Sequence, residues 1–263
     1  MWIINADDFG HSPEVNAGVM HCFEKGLCNS ASIMPNMPGF EEACQLGREH
    51  GLEDRIGLHL VLTEGEPLTE AMRSSRLFCT DGRFSLSRSR RVFWLSRADK
   101  IALADEIRAQ VAKCREHGLP LTHLDSHNHA HEEWWIGAVV IALAKELAIP
   151  RVRIALTFTE PLKWARGLYR WGYNRRLRKA GLARSQLFGG PGNYLAVPNR
   201  EAILRNMDCE VMLHPLTTAG GLVVDSVSGD LPDEVIPTLT LRSEGEGRSV
   251  VWSSVRDEMG HHA

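Results

Sequence analysis

The sequence predicts an α/β protein, and within that class a barrel-like arrangement of parallel strands and helices. Short apolar runs alternate with longer segments of helical periodicity along most of the chain, and such alternation is typical of parallel strands joined by crossover helices. The chain has 263 residues, which suits a single (β/α) barrel of about 250 residues. An open doubly wound sheet is the alternative, but no Gly-x-Gly-x-x-Gly motif follows the first apolar run, which disfavours its dinucleotide-binding form.

The individual elements follow from apolar runs and periodicity. Six segments have the composition of strands: Trp2–Ala6, Ser30–Met34, Arg55–Val61, Leu121–Asp125, Arg151–Leu156 and Cys209–Leu213. Two more strands are expected within Leu187–Leu195 and Ser249–Ser253. Helices are expected over Glu14–Lys25, Phe40–Glu49, Ala98–Glu116, Glu133–Leu147 and Arg200–Asn206. We therefore predict a (β/α)-barrel-like fold, which includes an incomplete or distorted TIM-type barrel.

Two long stretches interrupt this rhythm within what we predict to be one domain, residues 1–263. Insertions are expected near residues 63–99 and 160–199, and long insertions in compact domains are often binding loops or lids. The segment 161–184 has eight basic residues, no acidic residue and four interleaved Trp or Tyr residues. It is interpreted as a solvated or packing helical segment, with a sugar-binding lid, a polyanion patch and a subunit contact as alternatives.

Composition limits which binding partners and which cellular compartment are expected. The formal net charge is −3, which gives no overall signal for nucleic-acid binding. The six cysteines include no Cys-x-x-Cys pair, so they are expected to be buried, reduced thiols. Neither a signal peptide nor an apolar run of about 18 residues is recognised, so a cytoplasmic protein without a membrane partner is expected. The oligomeric state stays open, with a homodimer as one option.

Polar residues follow four of the predicted strands, at the point where each strand ends. The carboxyl ends of barrel strands meet at one mouth, where active sites form, so we expect these side chains to cluster. The residues are Asp7, Asp8, His59, Asp125, His127, His129, His131 and His214. Two imidazoles and one carboxylate would hold a divalent metal with positions left for water. Zinc, iron, cobalt, magnesium and manganese all remain open.

Each of these residues also has a structural interpretation. Neighbouring strand residues face opposite sides, so Asp7 and Asp8 share a site only if their strand ends near Phe9-Gly10; otherwise one of them caps a turn. His59 sits in an apolar run, where a core histidine is more common than a ligand. His214 is interpreted as a general acid, although a surface turn is the alternative.

The segment Thr122–His131 carries the stronger signal. If it is extended, residues 123, 125, 127, 129 and 131 share one face with period two. That face would hold four imidazoles and a carboxylate, which is unfavourable unless a metal or a wet cleft satisfies them.

These motifs resemble the YdjC family of carbohydrate deacetylases, which includes chitooligosaccharide deacetylases. The matching stretches occur in family order and span most of the chain: Asn5–Gly10 with Ser12-Pro13 and Val15–Gly18, Gly57–Leu60 with Leu62–Gly65, Asp81–Phe84, Thr122–His131, and Glu210–Met212 with His214-Pro215. Three positions depart from the family pattern, at His11, Glu132–Trp135 and Leu216–Ala219. They lie near the expected mouth, so they bear on the substrate more than on the metal.

The resemblance implies a barrel-like fold and removal of an N-acetyl group from an amino sugar or short chitooligosaccharide, with release of acetate. It implies a metal of the magnesium type at Asp8, His59 and His127, with zinc or another transition metal as an alternative. It also implies Asp7 as the base and His214 as the acid. Asp125, His129 and His131 are predicted to support the ligands or to contact the substrate.

Other functions are weighed against this one. A different metal-dependent amidohydrolase or phosphoesterase would use the His127-x-His129 pair. A glycosidase needs two carboxylates about 5–10 Å apart across a sugar, which adjacent Asp7 and Asp8 do not provide. A catalytically silent sugar-binding protein is the alternative from a different class, and it predicts no turnover with any metal.

Overall fold

The computed structural model describes residues 2–86, 94–157, 164–196 and 206–240. The strand expected over Ser249–Ser253 lies outside these residues, as does the helix expected over Arg200–Asn206 except for its last residue.

A six-stranded parallel sheet forms the centre of the fold. The described residues contain ten strands, of which six form this sheet. They are β1 (Trp2–Phe9), β2 (Ser30–Ile33), β3 (Ile56–Leu60), β4 (Cys79–Thr80), β5 (Arg83–Phe84), β6 (Leu124–Ser126), β7 (Leu187–Gly189), β8 (Cys209–Leu213), β9 (Pro215–Thr217) and β10 (Val223–Asp225). The main sheet has the order β6-β3-β2-β1-β8-β7, and each of its pairings is parallel. The pairs β4–β5 and β9–β10 are separate antiparallel hairpins.

The two edges of the main sheet are connected through residues 151–157. Leu124 of β6 pairs with Val152, and Arg151 pairs with Ala183 just before β7. Further along, the Thr157 amide donates to the Phe188 carbonyl at 3.1 Å. The sheet therefore curves into a barrel-like, incomplete structure, because this segment makes isolated bridges where a regular strand was expected.

Helices cover the outside of the sheet. They are α1 (Pro13–Glu24), α2 (Phe40–Glu49), α3 (Glu70–Arg73), α4 (Arg97–Glu116), α5 (Trp134–Glu146), α6 (Trp164–Ala180), α7 (Pro191–Leu195) and α8 (Pro232–Thr240), with 3₁₀ segments at Glu53–Arg55 and His127–Glu132. Every residue of β2 and β3 is buried, as expected for parallel strands covered on both faces. All six cysteines are buried and free, which confirms the sequence interpretation. None of the helices in the described ranges has the length and apolar character needed to cross a membrane.

Both expected insertions contain local structure. The first contains α3 and the β4–β5 hairpin, and it is fixed to α4 by the buried Glu106 carboxylate. This carboxylate accepts hydrogen bonds from the backbone amides of Leu68 and Thr69 at 3.0 and 2.9 Å. The second insertion contains α6, whose Tyr173 and Leu177 side chains are buried. The strand expected within Leu187–Leu195 covers only its first three residues, because Pro191 begins α7.

Candidate active site

The end of β1 places two adjacent carboxylates on the same side of the sheet. β1 continues to Phe9, but its pairing with β2 shifts register between Ala6 and Phe9. Asp8 lies within this irregularity with φ +64°, a left-handed conformation that short polar residues tolerate better than bulky ones. A bulge of this kind re-aims side chains. β1 ends at Phe9, where the sequence placed its end, and the irregularity just before it brings both carboxylates to the site.

Asp8, His59 and His127 meet at the mouth of the barrel. One Asp8 oxygen, Oδ1, lies 3.0 Å from His59 Nε2 and 2.9 Å from His127 Nδ1. The two imidazole rings pack edge to face with centroids 5.7 Å apart. One ligand-type atom from each residue lies within 4.8 Å of the others. Three side chains that are distant in sequence thus form one compact N,N,O group.

The hydrogen bonding of His59 shows why a cation suits this group. The Asp125 carboxylate lies 2.8 Å from Nδ1 of His59, so Nδ1 carries the proton. A neutral His59 then presents the lone pair of Nε2 to the negative Asp8 oxygen, which is repulsive unless a proton or a metal ion lies between them. In the absence of metal, burial opposes the charged imidazole but Asp125 and Asp8 outweigh it and raise the pKa of His59 to about 10. Likewise, burial disfavours the charged Asp8, but hydrogen bonds from His127 and His59 hold its pKa well below the usual value.

A second group with metal-type spacing lies deeper, formed by Asp7, His59 and Asp125. Arg153 already neutralises both of its carboxylates, at 2.6 Å from Asp7 and 2.7 Å from Asp125. A cation placed there would have to compete with a fully buried guanidinium. The Asp8 group is therefore the better candidate for metal binding.

Beneath the mouth lies a layer of buried charges. Arg153 donates to both oxygens of Asp7, at 2.6 and 2.8 Å, and to Glu210 at 2.6 Å. Arg151 forms a second ion pair with Glu210. Burial disfavours the charged carboxylate, but Arg151 and Arg153 outweigh it and lower the pKa of Glu210 to about 2. The Glu210 carboxylate is thus held ionised by the two arginines, as a buried charge requires.

His214 reaches the site from the end of β8. Its Nε2 lies 3.9 Å from Asp7 Oδ2, and its Nδ1 lies 3.7 Å from Asp225 Oδ2. The His214 backbone amide donates to the same Asp225 oxygen at 2.7 Å. Burial alone would lower the pKa of His214, but Asp225 and Asp7 outweigh it and raise the pKa. The residue after it, Pro215, begins β9 of the hairpin that supplies Asp225.

Comparison with known proteins identifies the family. The model of the YdjC-like protein family matches residues 2–247. This chain belongs to the YdjC-like family.

Several curated relatives of this YdjC-like protein have the name carbohydrate deacetylase. A "Carbohydrate deacetylase" of Brevibacillus brevis is 40% identical over 148 residues, which cover 56% of this chain and 57% of the relative. The "Carbohydrate deacetylase" of Vibrio vulnificus (strain YJ016) is 38% identical over 149 residues, which cover 56% of each protein. The YdjC-like chain therefore aligns with a little over half the length of these curated relatives.

A solved structure supports the fold of the YdjC-like protein. It comes from Enterococcus faecalis V583 and is described as a "putative cellobiose-phosphate cleavage protein". It matches with a TM-score of 0.71 at 20% identity, over 97% of this chain and 98% of that one. At this level of identity the likeness concerns the fold alone.

The condition of an extended segment is not met beyond Ser126 in this YdjC-like motif, so His129 and His131 do not continue the face of His127 with a period of two. β6 ends at Ser126, and a 3₁₀ segment follows in which Asn128 and His129 have positive φ angles of 55° and 56°. His131 is consequently fully buried beside Tyr173, with its Nδ1 2.6 Å from Ser126 Oγ. Burial lowers the pKa of His131 to about 3, so its ring is a neutral packing group without access to substrate.

His129 and Asp125 differ in how they relate to the metal-type group. The His129 ring packs against Phe188, with centroids 5.8 Å apart, and its Nδ1 lies 3.5 Å from Glu132. It therefore lies beside the site without contacting Asp8. Asp125 contacts His59 directly, with its Oδ1 2.8 Å from His59 Nδ1.

Sequence reasoning did not assign three residues of this site. Arg153 carried a readable signal, because Arg151 and Arg153 alternate with apolar residues in a predicted strand and so share one face. Glu64, whose Oε2 lies 3.2 Å from His127 Nε2, was noted only as part of a family motif. Asp225 gave no signal, since its position depends on the β9–β10 hairpin folding back onto His214.

Proposed function

We propose that this protein is a divalent-metal-dependent hydrolase, formed by one domain, that removes the N-acetyl group of an acetylated amino sugar or short chitooligosaccharide and releases acetate. Membership of the YdjC-like family supports the proposal, as do relatives named carbohydrate deacetylase. The barrel-like sheet also has its polar residues at the carboxyl mouth, which is where barrel enzymes place their active sites.

The observation that carries the proposal is the meeting of Asp8, His59 and His127. These residues would hold the metal, Mg²⁺ by family resemblance and Zn²⁺ or another transition metal as the alternative suited to two imidazoles. When bound, such an ion polarises a carbonyl group and lowers the pKa of a coordinated water. Asp125 fixes the ring of His59 through its hydrogen bond to Nδ1, the arrangement usual behind metal-binding imidazoles.

Asp7 is proposed as the general base. Each carboxylate oxygen has two acceptor positions, and among the described residues Oδ2 accepts one hydrogen bond, from Arg153. The remaining position on Oδ2 is free to take a proton from the attacking water. Arg153 and Asn5 hold the carboxylate in place, because they donate to it at 2.6–2.8 Å from fixed, buried positions.

His214 is proposed as the general acid. An amide nitrogen leaves poorly unless it gains a proton, and a protonated imidazole can provide it. Asp225 and Asp7 favour the protonated form of His214. The imidazole is 17% exposed, so it is open to a substrate that enters from the mouth.

The experiment that tests the function is acetate release from diacetylchitobiose. The full chain is treated with a chelator, dialysed, and assayed alone and after addition of Mg²⁺ or Zn²⁺. We expect turnover only with added metal, and none in His127→Asn, which removes a ligand nitrogen near the surface. Hydrolysis of a phosphate ester with diacetylchitobiose left intact would replace the proposal by the phosphoesterase alternative. Metal binding without turnover of any N-acetylated sugar would favour the silent sugar-binding alternative.

A further inference from the structure

A second concave site lies under helix α6, outside the barrel wall. It is a cleft of about 770 Å³ between α6, residues 154–157 and the segments that lead into β7 and β8. The side chains important for the argument are Arg170, Trp171, Arg178, Arg184, Gln186 and Asp208. We call it the α6 cleft.

The α6 cleft is separate from the candidate active site. Alternate residues of an extended segment face opposite sides. Arg151 and Arg153 point inward to Glu210, whereas Ile154 and Leu156 line the cleft.

The segment before β7 lies at this boundary. The Ser185 hydroxyl donates to Glu210 on the inner side, and Ser185 also lines the cleft together with Arg184 and Gln186. The barrel wall therefore lies between this cleft and the Asp8 group.

The arginines of the cleft lack the pairing that other arginines of this protein have. Arg170 and Arg178 are eight residues apart on α6, about 2.2 helical turns, and both line the cleft. The Asp208 carboxylate lines the same cleft, but within the described part of the chain no ion pair joins a carboxylate to these two arginines or to Arg184, and the charge that acts on Arg184 is that of Arg178. The printed hydrogen bond of Arg184 goes to the Leu182 carbonyl. By contrast, Arg151 and Arg153 are both paired with Glu210.

The concentration of positive charge in this cleft is local. The chain as a whole has a net charge of −3, so a general basic surface does not explain three guanidinium groups around one cavity. Partial burial and the neighbouring charge of Arg178 lower the pKa of Arg184, which is the sign of like charges held together. An anion between them would relieve this repulsion.

The chemistry of the lining indicates the class of anion. Guanidinium groups match the oxygens of phosphate through paired, charge-assisted hydrogen bonds. The Trp171 ring is 57% exposed and offers an aromatic face beside them. The volume lies within the range of about 300–1,000 Å³ that small-molecule sites occupy. We propose that the α6 cleft binds a small phosphate monoester, with its phosphate on Arg178 and Arg184 and its organic part against Trp171.

The test uses calorimetric titration of the full chain with inorganic phosphate and with AMP, at low ionic strength. We expect both to bind, and Arg178→Gln/Arg184→Gln to weaken both by at least about tenfold, since the variant loses the charge-assisted hydrogen bonds to the phosphate. Trp171→Ala is expected to weaken AMP but not inorganic phosphate. Lys179→Gln is the matched control, because Lys179 is exposed on the same helix but does not line the cleft. Its affinities should stay within about twofold of the parent protein.

Three outcomes would overturn the proposal: no binding of either probe, equal weakening in the Lys179→Gln control, or undiminished AMP affinity in the double variant, which would place AMP elsewhere. Arg178→Gln alone, at an exposed position, repeats the test if the double variant has a lowered Tm. Tighter binding of a single-stranded oligonucleotide than of AMP, with the same dependence on the two arginines, would assign the cleft to nucleic acid instead. Acetate release should be unchanged in every variant, because none of these residues contacts the active site.

Discussion

The upper and lower parts of the candidate active site both contain ionisable side chains. Those at the mouth can still bind a ligand, whereas those below it are already paired with one another. At the mouth, Asp8, His127 and His214 are each 16–18% exposed, and their nitrogen and oxygen atoms retain capacity for a metal or a substrate. Below them, Arg153, Asp125 and Glu210 are almost completely buried, and each charge has a partner of opposite sign. The residues at the mouth are thus accessible to a ligand, whereas the charges of the buried layer are neutralised by ion pairs within the layer.

Two residues connect these parts. Asp7 is held by Arg153 below and faces His214 above, and His59 contacts Asp125 below and Asp8 above. The proposed base and one proposed ligand are therefore oriented by charges that never meet the substrate. Changes to the mouth should alter chemistry with little effect on folding, and changes to the buried layer should alter both.

Among variants that keep the metal ligands, the largest effect on turnover is expected from Asp7→Asn. The amide keeps the shape of the carboxylate but cannot take a proton, so acetate release should fall by about 10²–10⁴-fold. Metal content after dialysis should stay the same, since Asp7 is not in the Asp8 group. Asp81→Asn is the control, because Asp81 lies in the β4–β5 turn at φ 50°, where Asn is also tolerated. Near-normal turnover in Asp7→Asn would show that another group acts as the base.

The largest effect on folding is expected from Arg153→Met. The change leaves three buried carboxylates with too little positive charge, and breaking a buried pair in this way costs about 3–5 kcal/mol of unfolding free energy. Urea unfolding measures it. Arg108→Met removes an exposed pair with Glu146 and should change the midpoint little. Equal midpoints for the two variants would mean that the buried layer does not stabilise the fold.

Most residues at the mouth could be predicted from the sequence, but few of those in the buried layer could. Asp8, His59 and His127 were found because each follows an apolar run, and strand ends converge in a barrel. The alternation of residues 151 and 153 places both arginines on one face. That Arg153 lies beneath Asp7 and Asp125 depends on closure of the sheet through residues 151–157, which a periodic pattern does not reveal. His131 was misplaced for a local reason, since the backbone leaves the extended conformation at Asn128 and the period of two no longer applies.

A smaller, selective effect is expected from Asp125→Asn. This change removes the charge behind His59 while keeping a group of the same shape, and loss of such support typically lowers metal affinity by about 10–100-fold. Titration of chelator-treated protein with Mg²⁺ or Zn²⁺ measures this affinity. Asp225→Asn is the control, because Asp225 contacts His214 and not the metal-type group. If both variants bound metal equally well, the hydrogen bond between Asp125 and His59 would not contribute to metal affinity.

The smallest change, a shift along the pH axis, is expected from Asp225→Asn. Burial alone would lower the pKa of His214, and Asp225 is the main group that raises it instead. Turnover that needs protonated His214 is lost as the pH rises through this pKa. Without the Asp225 charge the pKa falls, so the basic limb of the kcat/KM profile should move to lower pH, while the maximum rate at acidic pH changes little. Ser228→Ala provides the comparison, because Ser228 bonds Asp225 but does not contact His214, and it should shift the limb less. An unchanged basic limb in Asp225→Asn would mean that the limb reports a group other than His214, and the acid role would pass to another residue of the mouth.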